Sequence, residues 1–266
     1  MIVTLLTDYG LEDEFAGVCR AVILGICPDA RIVDITHGIP RYDVRHGAIV
    51  LRNAIPYAPV GVHVAIVDPQ VGTERRAVAL RTVDGRLFVG PDNGLLSLAW
   101  ERCGGVELAV DVSRSGHRLE PVSATFHGRD VFAPVAAQLA AGAELAEAGE
   151  PLDPGELARI ELPRPRMEEG ALVAHVLIVD RFGNLVLDVE HGDLAGTGLM
   201  LGRRVELAVG GERRLATYAH SFADVAGDEL LVYEDASRAL AVAVNRGHAA
   251  NVLGLGPDAE LRLRPA

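Results

Sequence analysis

The chain has 266 residues, of which 49% are hydrophobic, and a formal net charge of −12. That length suits one large domain or two modest ones. The acidic balance argues against nucleic acid or an anionic membrane as the main partner. The complete absence of lysine excludes Schiff-base chemistry and a P-loop together.

In chain order, residues 2–7 read as a strand with no basic stretch before it, so a signal peptide is not expected. Asp8 ends that strand in Thr7-Asp8-Tyr9-Gly10. An aspartate there is either a local turn or cap residue, or an acceptor for the two hydroxyls of a ribose. Residues 14–27 follow as an amphipathic helix stopped by Pro28, then a strand over 31–35 and a turn over 36–40. Asp43 is placed to N-cap a helix that runs to about Ala54.

The apolar run 62–67 reads as a buried strand that delivers Asp68 to its carboxyl end. Pro69 and Gly72 then force a turn, which brings Arg75 and Arg76 back toward that carboxylate. Ligands of open α/β sheets bind outside the carboxyl ends of the strands, so this stretch is the sharpest local sign of a site. Shorter strands follow at 77–82 and 87–89. Pro91-Asp92-Asn93-Gly94 opens a helix to about Arg102, and 106–110 is a further strand. His127 stands at the start of a helix over 128–140, with Gly142 as its C-terminal cap. A histidine there is either structural or open to a crevice, where the helix dipole favours its neutral form. Arg129 and Asp130 read as a local ion pair. Strands alternating with helices imply an α/β sheet covered on both faces.

The pattern changes after about residue 150. The Pro-rich stretch 150–166 reads as a linker. Beyond it come short strand-like segments at 171–179, 184–189, 203–209, 214–218, 229–234, 239–244 and 260–264, the pattern of a small β-barrel or sandwich. The expected organisation is therefore an α/β domain, a sheet between helix layers, over 1–158, and a small all-β, barrel-like domain over 167–266. Asp180-Arg181-Phe182-Gly183-Asn184 is either a plain β-turn with Gly183 at positive φ, or a recognition loop. In the second case Phe182 is a stacking surface and Asp180 or Asn184 reads polar groups. The three cysteines, Cys19, Cys27 and Cys103, lack metal-ligand spacing and read as buried small hydrophobes in a reducing cytoplasm. The nine histidines are scattered, so no metal site is indicated. GxGxxG and GxSxG are both absent, which disfavours a dinucleotide cofactor and a serine hydrolase. No run is long and apolar enough for a bilayer span.

Seven segments taken together are more informative than any one. They are Thr-Asp-Tyr-Gly at 7–10, Ile-Val-Asp-Ile-Thr-His at 32–37, Val-Asp-Pro-Gln-Val-Gly-Thr at 67–73, and Val-Gly-Pro-Asp-Asn-Gly-Leu-Leu at 89–96. Phe-His-Gly-Arg-Asp-Val-Phe-Ala-Pro-Val-Ala at 126–136, Asp-Arg-Phe-Gly-Asn-Leu at 180–185 and Ala-Val-Asn-Arg-Gly-His-Ala-Ala at 243–250 complete the set. In this order the chain resembles the S-adenosyl-L-methionine (SAM) hydroxide adenosyltransferases, the adenosine-forming SAM hydrolases related to SAM-dependent fluorinase and chlorinase.

The resemblance implies an α/β/α layer followed by a β-barrel, assembled as a homotrimer with active sites between subunits; the cysteines point to the cytoplasm, and the motifs indicate no cofactor. It assigns Asp68, Arg75 and His127 to catalysis and Asp8 to the ribose hydroxyls. Asp180 and Asn184 would hold the methionine end, with Phe182 an aromatic at the pocket. The segment at Ala249 and Ala250 would read adenine. Two departures stand out. Gln70 replaces a common glycine. Residues 234–239 replace a more usual Ser-Ser-Gly-Tyr-like stretch, keeping only Ser237 as a hydroxyl for the methionine carboxylate. Two rival readings are a halide-using SAM enzyme, in which the Asp68 carboxylate would repel the anion, and a non-catalytic SAM- or nucleoside-binding protein, which would have no use for Asp68, Arg75 and His127 together.

Overall fold

Strand β1 (Ile2–Thr7) lies inside a seven-stranded sheet of the computed structural model, which describes residues 1–266. Its neighbours are β2 (Arg31–Thr36) on one side and β3 (Val62–Ile66) on the other, both parallel to it. The sheet continues through β5 (Leu87–Pro91), β4 (Ala77–Thr82), β6 (Val106–Asp111) and β7 (Glu150–Leu152). β5 is parallel to β3, and the remaining pairings are antiparallel.

Helix α1 (Phe15–Ile26) connects β1 to β2, and α2 (Val44–Ala54) connects β2 back across β1 to β3. The two crossovers run in opposite directions, so right-handed connections put the two helices on opposite faces. Asp43 accepts the His46 N–H and caps α2 as its position implies. On one face α1 packs with α4 (Ala133–Ala140), and Cys19, Ile23, Val135 and Leu139 meet Val3, Leu5, Val62, Val64 and Ile66. Each such fully buried aliphatic side chain contributes roughly 1.5–3 kcal/mol of burial. On the other face α2 packs with α3 (Ser97–Arg102). All three cysteines are buried and unpaired.

The helix expected over 128–140 begins differently. Gly128–Phe132 is a π-helical turn, and the Ala133 N–H reaches back to the Gly128 carbonyl. Pro134 explains part of this. It has no N–H to give to the Asp130 carbonyl, which accepts the Leu119 N–H at 2.8 Å instead. The Asp130 carboxylate is buried, pairs with Arg129 and accepts the Ser123 N–H, so the loop before His127 is tied down from both ends.

The first half of the Pro-rich stretch is not a free linker. The chain separates into two compact units, Met1–Ile160 and Glu161–Ala266. Residues 150–152 add the edge strand β7, where Pro151 is tolerated. The segment after it is pinned by Arg76 to Glu156, by Asp92 to the Ala158 N–H, and by Ser97 Oγ to the Ile160 N–H. These partners lie 63 to 80 residues away in sequence, so local composition carried no sign of them.

The second unit is a closed barrel. Strands β9 (Ala171–Val179), β10 (Leu185–Glu190), β14 (Ala239–Val244), β13 (Leu230–Glu234), β12 (Glu212–Tyr218), β11 (Arg204–Val209) and β15 (Glu260–Pro265) pair in that order, and β15 returns to β9. A short β8 (Arg166–Glu168) pairs with β9 outside the ring. Alternate residues fill the interior: Leu172, Ala174 and Val176 from β9, Val205 and Leu207 from β11, and Leu240, Val242 and Val244 from β14.

Candidate active site

β1 and β3 are adjacent, and the chain leaves them toward opposite sides of the sheet, which makes their carboxyl ends a topological switch point. Asp8 follows β1 and Asp68 follows β3 by two residues. After Asp68 the turn is built by its own polar groups. The Val71 N–H bonds the Asp68 carbonyl, Thr73 bonds the Gln70 carbonyl, and the Arg75 N–H bonds Thr73 Oγ1. Gly72 is required there. Its φ is +80°, and a Cβ would lie 2.4 Å from the Ala124 carbonyl oxygen.

This turn returns Arg75 to Asp68. Arg75 Nε donates to Asp68 Oδ1 at 3.1 Å and Nη2 to Oδ2 at 2.5 Å. The two side chains are only 3% and 6% exposed. Arg75 Nη1 donates to the Arg76 carbonyl, the guanidinium lies over the Phe132 ring, and Nη2 approaches His127 Nδ1 at 3.1 Å. Arg76 is committed elsewhere, to Asp92 and Glu156. Of the two arginines, then, only Arg75 contacts Asp68 and His127.

An arginine cannot accept a hydrogen bond, so His127 Nδ1 is the acceptor and a neutral ring carries its proton on Nε2. Burial, and next the Arg75 charge, hold the His127 pKa below the usual histidine value. The neutral form is also the one expected from sequence, and burial and a guanidinium favour it here. Buried His63 is shifted the same way, to about 4, chiefly by burial. A lowered folded-state pKa means that the unfolded chain takes up protons first as pH falls. The contribution of these two histidines is therefore complete above about pH 6.5 and declines as pH drops through the folded values. Denaturant midpoints followed through buried Trp100 are expected to fall between about pH 7 and 5, and His127→Gln should shrink that fall.

Asp8, Asp68 and His127 line one cavity of about 380 Å³ with Tyr9, Phe126 and Gly128. Asp8 Oδ2 accepts the Tyr42 N–H at 3.0 Å, and burial raises its pKa. Behind it lies a network that sequence reasoning missed. Thr7 Oγ1 meets His37 Nδ1 at 2.8 Å, and Arg20 and Asp34 meet His37 Nε2. Thr7 and His37 both belong to recognised motifs, but nothing in their spacing shows that they touch. A second cavity, about 700 Å³, shares His127 and is lined by Arg75, Arg114, Arg118 and Glu147. It contains neither Asp8 nor Asp68.

In the second unit, Asp180 spends both carboxylate oxygens on its own turn, accepting the Phe182 and Asn184 N–H groups and the Asn184 side-chain amide. Gly183 has the expected positive φ, +82°. Phe182 is 69% exposed. The Ala250 N–H donates to the Gly183 carbonyl, and His248 caps the short helix α5 (Ala249–Leu253), so the residues at 180–184 and 249–250 do come together. Ser237 is exposed in the turn between β13 and β14, its N–H held by Asp235. Tyr233 lies in the field of both Asp180 and Asp235. No three His, Cys, Asp or Glu side chains gather as a metal-binding group, and no helix is long and apolar enough to cross a membrane.

Residues 3–149 match the family model for the SAM hydroxide adenosyltransferase N-terminal domain, and residues 174–262 match that for its C-terminal domain. A protein from Salinispora tropica named (R)-S-adenosyl-L-methionine hydrolase is 48% identical over 98% of this chain and 97% of its own. A fluorinase from Actinoplanes sp. is 29% identical over 79% of this chain and 78% of its own. The crystal structure of an uncharacterized conserved protein from Thermotoga maritima superposes with a TM-score of 0.90 at 35% identity, covering 99% of this chain and all of that one.

Proposed function

The chain belongs to the SAM hydroxide adenosyltransferase family, and from that premise we propose that it hydrolyses SAM to adenosine and L-methionine. The observation that carries the reading is that Asp68 and His127 line one cavity with Asp8, and that the buried Arg75 hydrogen-bonds both of them from behind. Water attacks the ribose 5′-carbon, the carbon–sulfur bond breaks, and its electron pair goes to sulfur. The sulfonium leaves as the neutral thioether of methionine, so no acid has to protonate it. What the protein supplies is alignment and activation of the water, and well-oriented reactants gain roughly 7–11 kcal/mol.

Asp68 accepts the water's proton, in our reading, because it is the acceptor of the set. His127 offers Nε2–H and fixes the water's oxygen, and Arg75 stabilises the developing hydroxide while holding Asp68 in place. Asp8 receives the ribose hydroxyls. Asp180, Phe182, Asn184, Ser237, Ala249 and Ala250 supply the methionine and adenine contacts. Because Asp180 already uses both oxygens in its turn, it acts there mainly by shaping the loop that presents Phe182 and Asn184. The divided residue set and the family resemblance support a cytoplasmic homotrimer with sites shared between subunits.

The test is product analysis. Purified protein should convert SAM to adenosine and methionine in the presence of chelator and migrate with the mass of three chains. A 5′-halogenated nucleoside formed at high halide would assign it instead to the chemistry named for its fluorinase relatives. SAM binding without turnover would leave a binding protein.

A further inference from the structure

Tyr9 belongs to none of the roles above. Its ring sits among Phe15 and Phe126, with centroids 5.8 and 5.9 Å away, and those two rings are 5.0 Å apart. Its N–H is held by Thr7 Oγ1 at 3.2 Å, which in turn bonds His37, and the next N–H, of Gly10, bonds the His37 carbonyl. The direction of the ring is therefore fixed at both ends. Phenylalanine would satisfy every one of these contacts. The hydroxyl alone is unexplained: it makes no hydrogen bond within the chain, and Tyr9 is one of the residues that line the cavity.

Gly128 is the complement of that hydroxyl. A Cβ on Gly128 would lie 2.3 Å from the Tyr9 oxygen and 3.2 Å from Cζ. The hydroxyl thus occupies the space of a side chain at position 128, on the cavity wall directly after His127. Asp8 and Asp68 line the same cavity. In the reading of the site as a SAM hydrolase, on which this inference rests, the group lying between the diol acceptor Asp8 and the water-activating set is the ribose itself. We infer that the Tyr9 hydroxyl is a further substrate contact, hydrogen-bonding the ribosyl part of the nucleoside, and that Gly128 is the residue that leaves room for it.

The experiment compares full-length wild type with Tyr9→Phe, using adenosine binding by calorimetry, SAM turnover and the thermal midpoint. One neutral hydrogen bond predicts a roughly 3- to 10-fold weaker adenosine Kd and a matching fall in kcat/KM, at an unchanged midpoint because the aromatic cluster is intact. Gly128→Ala should weaken adenosine binding in the Tyr9 protein and have a smaller effect on the Tyr9→Phe background, where the colliding oxygen is gone. Wild-type adenosine affinity in Tyr9→Phe overturns the contact while leaving the hydrolase reading in place. A wild-type protein that neither binds adenosine nor turns over SAM overturns both.

Discussion

Asp68→Asn is expected to lower kcat for SAM by roughly 10²–10⁴-fold, the range that a positioned proton acceptor supplies, while adenosine affinity stays within a few-fold of wild type. Asparagine keeps the shape and one acceptor oxygen for Arg75 but cannot take a proton from water. The alanine variant is a different experiment. Asp68 and Arg75 are paired through two hydrogen bonds, and both side chains are almost fully buried. Removing one partner of such a pair costs about 3–5 kcal/mol, because the other charge stays buried without compensation. In a unit of this size that corresponds to a fall in Tm of roughly 6–20 °C. Asp68→Ala should therefore lose both turnover and stability; Asp68→Asn also leaves the Arg75 charge uncompensated but keeps one acceptor and the shape, so its loss of stability should be the smaller of the two. Kinetics measured well below the midpoint separate the two effects. Near-normal kcat in the asparagine variant would remove Asp68 from the proton path and leave it as the anchor of Arg75.

The fold was legible wherever it depends on local periodicity. The buried run at 62–67, the Asp43 cap and the short alternating strands after residue 171 all announce themselves within a few residues. Asp68, Arg75 and the turn between them were legible for the same reason, since Gly72 and Thr73 act over a span of seven residues. What was not legible depends on contacts distant in sequence. The attachment of 150–160 to the first unit rests on Arg76, Asp92 and Ser97. The π-helical entry after His127 rests on Leu119 reaching the Asp130 carbonyl. The orientation of the His127 ring rests on Arg75, 52 residues earlier. Motif resemblance named residues that the fold does place close together, but it could not say that Arg76 is tied to Asp92 and Glu156, that Asp180 is consumed by its own turn, or that Tyr9 faces Gly128.

Asp8→Ala is expected to act on binding rather than on turnover. A carboxylate that receives two ribose hydroxyls makes two hydrogen bonds to a charged acceptor, each about 1.5–3 kcal/mol. Their loss corresponds to a roughly 10²- to 10⁴-fold weaker Kd for adenosine. A weaker Kd alone does not prove contact, because Asp8 also accepts the Tyr42 N–H and so helps shape the cavity. The decisive comparison is between adenosine and 2′,3′-dideoxyadenosine. In the wild type, adenosine should bind more tightly by nearly the whole factor that the mutation removes, since the dideoxy ligand lacks the groups that Asp8 receives. In Asp8→Ala the two ligands should bind alike. A carboxylate that only organised the turn would weaken both ligands by the same factor, and the preference for adenosine would survive the substitution. Survival of that preference would place the ribose hydroxyls against another group and reduce Asp8 to a support for the loop at Tyr42.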